Sequence, residues 1–415
     1  MSFSADTRAD LDRLWSTIEA SAGIGPGRPG GLERLTLGDA DREMRDVFVR
    51  WCEEAGLTVR IDRMGSIFAR RAGTDDSLPP VLIGSHLDTQ VNGGRFDGIV
   101  GVLAGLEVMR RLNDTGHVTL RPIEVVNWTN EEGARFSPPM VASGVFVGRY
   151  DLDWAHGLIA DDGARFGNEL ARIGYLGEHP AQGGEVDAYF ELHIEQGPIL
   201  DAERLQVGVV TGGYPTHGMR LIFKGRTAHT GPTPMNLRQN ALIAGARWLA
   251  AVDDIGWEFA IHDGKATGSR LAAWPNKPGI LSETAQCVGD VRHSDPITAR
   301  VMTEKMRRAA AAAAAMAGCE LVIEEEWDWG GNIFDAGLVD LVRDVAIRQG
   351  WKWRDIRSQA GHDAYHLATH CPTAMIFTPC KGGITHHNEE DCAPEDLVAG
   401  VNVLLHAVVA RADRP

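Results

Sequence analysis

Five stretches of the chain each carry a histidine, a carboxylate or both. They are Gly84-Ser85-His86-Leu87-Asp88-Thr89, the glycine-rich Asn92-Gly93-Gly94-Arg95-Phe96-Asp97-Gly98, Asn130-Glu131-Glu132-Gly133, Glu191-Leu192-His193-Ile194-Glu195-Gln196-Gly197, and Gly383-Ile384-Thr385-His386-His387. A nitrogen and oxygen donor set without cysteine suits zinc, or else manganese, cobalt or nickel. Asp88 stands two residues beyond His86, so on an extended backbone both side chains point the same way. The Asp88 carboxylate is therefore expected to accept the second imidazole N–H of His86 and fix its tautomer. A further pair, His362 and His366 in His362-Asp363-Ala364-Tyr365-His366, has the four-residue spacing of the H-E-x-x-H zinc helix, but Asp replaces Glu and Gly361 precedes it.

Most of these stretches follow apolar runs. Val81 to Ser85, Ile123 to Trp128, Ala188 to Ile194 and Ala374 to Thr378 read as buried strands. Gly98 to Leu112, Leu338 to Gln349 and Pro394 to Ala412 read as helices between or after them. Strands alternating with helices predict an α/β fold with a mostly parallel sheet covered by helices on both faces, the arrangement that places sites at strand ends. The texture changes near Val207. Gly218 to Gly225 alternates like a half-exposed strand, Asn236 to Val252 reads as a helix, and two short strands are expected around Thr284 and Val288. Pro296 to Ala317 is a long helix whose Ala309 to Ala315 run marks helix propensity rather than low complexity. The α/β texture resumes with a strand at Leu321 to Ile323. The expected organisation is a catalytic domain of residues 1–211 and 327–415 interrupted by a smaller α+β domain at 212–326.

At 415 residues two domains are expected. Lys and Arg number 41 against 57 Asp and Glu, a formal charge of −16, which disfavours nucleic acid and anionic membranes as partners. An anionic substrate would need a local cationic group. No secretory signal or spanning apolar run is seen, and Cys52, Cys287, Cys319, Cys371, Cys380 and Cys392 form no C-x-x-C pair, so a cytoplasmic protein is expected.

The stretches GSHLDT, GGRFDGIVGVLAGLE, TNEEGARF, ELHIEQGPIL, TAHTGPTPM, DVRHSD, AGHDA and GITHHNEE resemble, in order, the two-metal amidohydrolases related to aminoacylases and glutamate-releasing zinc carboxypeptidases. Within that family the resemblance is to the branch of N-carbamoyl-L-amino acid hydrolases, β-ureidopropionases and allantoate amidohydrolases, and it runs from Gly84 to Glu390. It implies two divalent metal ions per subunit, with His86 and His193 on one, Glu132 and His386 on the other, and Asp97 bridging. It implies Glu131 as general base with Asp88 in support, and a small carboxylate-bearing ureido substrate. Gln196, Asn276, Arg292, Gly361 and His362 would face that substrate, while His366 is packing.

The inserted domain would serve as lid and dimer interface, with His229 of a homodimer partner reaching the developing oxyanion. The chain departs from the family pattern at Gly212 to His217, where Arg-Trp is common, at Gln359, where glycine is usual, and at Thr385 and His387. Hydrolysis of another small amide, such as an N-acyl amino acid, is the first alternative. A catalytically inactive metal-binding protein of the same fold is the second.

Overall fold

The computed structural model describes residues 3–414. They form two compact units. One comprises the residues up to Thr211 together with those from Ile333 onward; the other is Gly212–Asn332.

The first unit is built on an eight-stranded sheet. Its strands are β1 (Thr58–Ile61), β2 (Ile67–Arg71), β3 (Val81–His86), β4 (Ile123–Trp128), β5 (Ala188–Ile194), β6 (Val207–Gly213), β11 (Trp353–Ser358) and β12 (Thr373–Thr378), in the spatial order β1-β2-β4-β3-β5-β12-β6-β11. The central run β4-β3-β5-β12 is parallel, while β2 against β4 and β6 against β12 are antiparallel. Every residue of β3, β4, β5 and β12 is buried. That explains why these strands read as mostly apolar runs rather than alternating ones, with a few buried polar residues such as Glu191 and His193 among them.

Side chains of β5 alternate between two covered faces. Leu192 packs towards Gly400 of the helix Pro394–Ala412, while the carboxylate of Glu191 accepts the backbone N–H of Ala364 at the start of the helix Asp363–Leu367. Helices therefore cover both sides. The helix Ile99–Thr115 follows β3 and buries nearly every residue of its first three turns, each large apolar side chain contributing roughly 1.5–3 kcal/mol.

The second unit is a four-stranded antiparallel sheet of β7 (Thr216–Lys224), β8 (Lys265–Trp274), β9 (Thr284–Arg292) and β10 (Glu320–Trp329), in the order β10-β7-β9-β8. The helices Ala241–Phe259 and Pro296–Ala317 share a core with it, centred on Trp248, Phe223, Leu221 and Met306. Ala310, Ala313, Ala314 and Ala317 face this core, so the alanine run is closely packed.

Two expectations are corrected here. The two short strands around Thr284 and Val288 are one continuous strand, β9. The boundary expected between residues 326 and 327 falls inside β10, whose whole length pairs with β7 from Glu320–Lys224 to Trp329–Thr216. A strand is kept whole by its ladder, so the second unit extends to Asn332.

Candidate active site

The parallel strands deliver their C-terminal ends to one edge of the sheet, and the chemistry gathers there. His86 ends β3, His193 lies near the end of β5 opposite Phe377 of β12, and Glu131 and Glu132 follow β4. Asp97 arrives on the loop that opens the helix Ile99–Thr115. Gly98, which starts that helix, has φ +67°, and a Cβ there would sit 2.2 Å from Nε2 of His86, so only glycine allows the close approach. His386 comes from the loop after β12, and its backbone is left-handed at φ 51°, as is that of Gln196 at 57° and Asn130 at 63°. Three non-glycine residues in that region, all around one site, mark backbone strain held by the surrounding structure.

Asp97 is at the centre. Its Oδ1 lies 3.2 Å from Nε2 of His193 and 3.9 Å from Nε2 of His86. Its Oδ2 lies 3.1 Å from Nε2 of His386, which is itself 3.5 Å from Oε2 of Glu132. Two sets therefore share Asp97: His86–Asp97–His193 and Asp97–Glu132–His386, each with donor atoms within 4.8 Å of one another. His86 and His193 each direct Nδ1 to a backbone carbonyl, of Asp88 and Ile194 respectively, both at 2.9 Å. Both Nε2 atoms are thereby left to face Asp97.

This corrects the expected part of Asp88. Its carbonyl oxygen, not its carboxylate, orients His86; the carboxylate stands 3.8 Å away and pairs with the Thr36 hydroxyl. A third set, Glu191–His193–His362, is of another kind. Glu191 already accepts from Ser85, Tyr189 and Ala364 and serves as a counter-charge behind His193.

The protonation states follow from burial and crowding. Burial pushes the Glu131 carboxyl well above its ordinary range, with the negative charges of Asp363 and Glu132 adding to the effect. Burial raises Glu132 to about 8 against the pull of His386, and burial with Asp41 raises Asp88 to about 7. Burial opposes ionisation of Asp97 too, but hydrogen bonds from His193 and His386 outweigh it and hold that carboxyl well below the usual range. Against desolvation, the contact with Asp97 lifts His193 to about 9, and the charge of Glu132 together with Asp97 lifts His386 to about 10, whereas desolvation drops His86 to about 4.

A buried carboxylate cluster costs several kcal/mol unless positive charge compensates it. A proton on His193 or His386 does there what a divalent cation would do. The donor set, the shared carboxylate and the carbonyl-oriented imidazoles all fit metal ions.

Residues 82–410 match the description Peptidase family M20/M25/M40. The chain belongs to this family. It is 44% identical over 98% of its length to an N-carbamoyl-L-amino-acid amidohydrolase from Rhizobium meliloti, covering 97% of that protein. Its fold superposes on the crystal structure of an amidase of the hydantoinase/carbamoylase family from Burkholderia vietnamiensis with a TM-score of 0.96, at 45% identity and with 100% of each chain covered. A ureidoglycolate hydrolase from Oryza sativa subsp. japonica is 30% identical over 96% of this chain and 84% of that protein. M20 proteins are metal-dependent, and the two sets around Asp97 are where this member can hold metal.

The remaining expected residues divide between the units. His362 is buried beside His193 with ring centroids 4.5 Å apart, and its Nε2 is 3.0 Å from the Ser358 hydroxyl, with Gly361 next to it in the chain. His366 is buried against Ser143 and Tyr150, and desolvation lowers it to about 3, in keeping with packing. Gln196 donates to Oδ2 of Asp97 at 2.9 Å, and so orients a ligand as well as facing the site.

His229, Asn276 and Arg292 belong to the second unit. His229 is exposed, with Nδ1 accepting from the backbone N–H of Gly231, and Asn276 is exposed as well. Arg292 ends β9, pairs through Nε with Asp290 at 3.0 Å, and stacks over Trp329. Its partner across the β7–β9 ladder is Thr216, so the departure at Tyr214 to His217 lies beside it. Thr385, another departure, turns its hydroxyl towards Asp97 and Glu390. Sequence reasoning missed Gln90, whose amide donates to Oε2 of Glu132 at 2.9 Å. Its position just beyond GSHLDT was the available signal.

Proposed function

We propose that this M20 chain hydrolyses the ureido C–N bond of an N-carbamoyl amino acid or a related ureido acid, giving ammonia, carbon dioxide and the free amino acid. The observation that carries this reading is the Asp97-centred pair of ligand sets with a free carboxylate, Glu131, beside it. Likeness at 44% identity over nearly the whole chain to a protein named for N-carbamoyl-L-amino acids supports the substrate class. His86, Asp97 and His193 would hold one divalent ion and Asp97, Glu132 and His386 a second; the N/O donors suit zinc, with manganese, cobalt or nickel as alternatives. Two such ions supply Lewis-acid chemistry, acidifying water and stabilising negative charge on the carbonyl oxygen.

The protein groups divide the rest of the work. Glu131 is buried with Oε2 3.4 Å from His86 and lies outside both ligand sets. In this reading it takes the proton from the attacking water and passes it to the leaving nitrogen. His362 and Gln196 face the ureido group. Arg292, with its planar fork, and Asn276 bind the substrate carboxylate. His229 of a second subunit donates to the developing oxyanion. A homodimer is supported by β8, a long, largely exposed edge strand that leaves Leu271 and Trp274 uncovered.

Among the described residues no helix is long and apolar enough to cross a membrane, and all six cysteines are free thiols, which suits a reducing cytoplasm. Ammonia release from a panel of ureido acids, including 3-ureidopropionate and allantoate, tests the assignment when metal-free enzyme is reloaded with zinc, manganese, cobalt or nickel. Metal-dependent ammonia release from an N-carbamoyl amino acid is expected. Turnover of N-acyl amino acids alone, with amine as the only nitrogen product, would reject it.

A further inference from the structure

Glu390 is 3% exposed and lies four residues beyond His386. Its Oε1 accepts the backbone N–H of Phe96 at 2.9 Å and that of Asp97 at 3.0 Å. Its Oε2 accepts the Thr385 hydroxyl at 3.1 Å, and that hydroxyl is also 3.3 Å from Oδ2 of Asp97. One carboxylate thus ties the loop that carries Asp97 to the loop that carries His386, across almost three hundred residues of sequence. The fit is tight. A Cβ on Gly94 would fall 2.0 Å from the carboxyl carbon of Glu390, so the absence of a side chain at 94 is what lets the carboxyl reach in.

Flanking contacts hold the same two loops: Arg95 with Asp391 at 3.2 Å, and Asn92 with Asn388 at 3.4 Å. Placing another buried carboxylate close to Asp97 opposes folding electrostatically. Its position is therefore explained by what it does to the ligands rather than by stability.

We infer that Glu390 is a positioning residue: by clamping the Asp97 and His386 loops together it sets the geometry, and hence the cation affinity, of the Asp97–Glu132–His386 set. The inference rests on the metal-centre reading given above. His386 is half-exposed and comes from a loop, whereas His86 and His193 are buried on strands. Loss of the clamp should consequently weaken the ion of the Asp97–Glu132–His386 set more than that of the other set, which shares Asp97 but keeps two strand-borne histidines. Partners of metal ligands typically contribute about 10–100-fold in affinity or activity when removed. The amide oxygen of a glutamine could still accept both backbone N–H groups, so Glu390→Gln should be milder than Glu390→Ala.

The test titrates metal-free protein with cobalt(II) alone against a competing chelator and follows visible absorption, with thermal melting of each metal-free variant alongside. Wild type is expected to take up two ions per chain. Glu390→Ala should retain the tighter ion and bind the weaker one about 10–100-fold less well, with Glu390→Gln in between. Gly94→Ala, which displaces the carboxyl while leaving Glu390 in place, should reproduce the loss and carries the test if Glu390→Ala fails to fold. Wild-type affinity for both ions in Glu390→Ala or Gly94→Ala would overturn the inference. Uptake of fewer than two ions by wild type would instead overturn the metal-centre reading beneath it.

Discussion

The first unit carries its reactive groups on or just after strands buried on both faces, while the second presents His229 and Asn276 on exposed loops and Arg292 at a strand end. The contrast reflects what each group must do. A ligand set tolerates errors of only a fraction of an ångström, so its members are braced by carbonyls, by Gln90, Gln196 and Glu390, and by glycines that leave no slack. On the proposed reading His229, Asn276 and Arg292 meet the substrate from the second unit, where little packing suits groups that must admit it and release its products; His362, buried beside His193, is the exception.

The largest effect expected from this division is at Glu131. Glu131→Gln should bind cations as wild type does yet lose about 10²–10⁴-fold in kcat, measured as ammonia release alongside metal content. An active variant would remove Glu131 from the general-base role. A smaller loss is expected at the exposed end. His229→Ala should lower kcat by about 10²–10³-fold, and mixing it with Glu131→Gln should restore part of the activity by forming one intact site per hybrid dimer. No recovery on mixing would mean that each chain completes its own site.

The smallest effect is on stability, and it should arise from the first unit. Asp62 and Asp88 are raised to about 7 and Glu132 to about 8, each chiefly by burial. Unfolded carboxyls titrate near 4, so between about pH 5 and 8 the folded form binds more protons than the unfolded one. The stability these groups contribute is present below the unfolded values and is lost as pH rises through 7 to 8. Metal-free protein should therefore melt at lower temperature at pH 8 than at pH 6. Loading with zinc should flatten that slope, because a cation replaces the protons on Glu132. Calorimetry at the two pH values decides it; a melting temperature that rises with pH would contradict the burial argument.

Much of this was legible because the relevant signals are local. Ile123–Trp128, Ala188–Ile194, Pro296–Ala317 and Pro394–Ala412 have the bounds their apolar runs indicate, since each run is closed by a change in residue type. Strand β8 was not legible: as a largely exposed edge it has no buried face to impose alternation, and its polar first half hides the short apolar run Leu271 to Trp274. Leu321 to Ile323 read as a strand with which the α/β texture resumes, but only the ladder to β7 reveals where it pairs and how far it runs.

At the site, side-chain types marked five stretches and the family resemblance implied which of their residues are ligands, whereas the groups that orient them depend on contacts distant in sequence. Nothing local in His86-Leu87-Asp88 distinguishes a carbonyl from a carboxylate as the partner of the imidazole. Glu390 closes the stretch GITHHNEE, and nothing local there indicates its contact with the Asp97 loop, which only the fold creates.

The two ligand sets also differ in when a growing chain can possess them. His86, Asp97 and His193 have all emerged once β5 is made, and a ribosome adds residues from the N-terminus onward. The Asp97–Glu132–His386 set must wait for the inserted unit, β11 and β12 to be synthesised before its last member exists. If this set holds a second cation as proposed, the order of synthesis reserves that ion for a nearly finished polypeptide and makes its capture a late step in maturation.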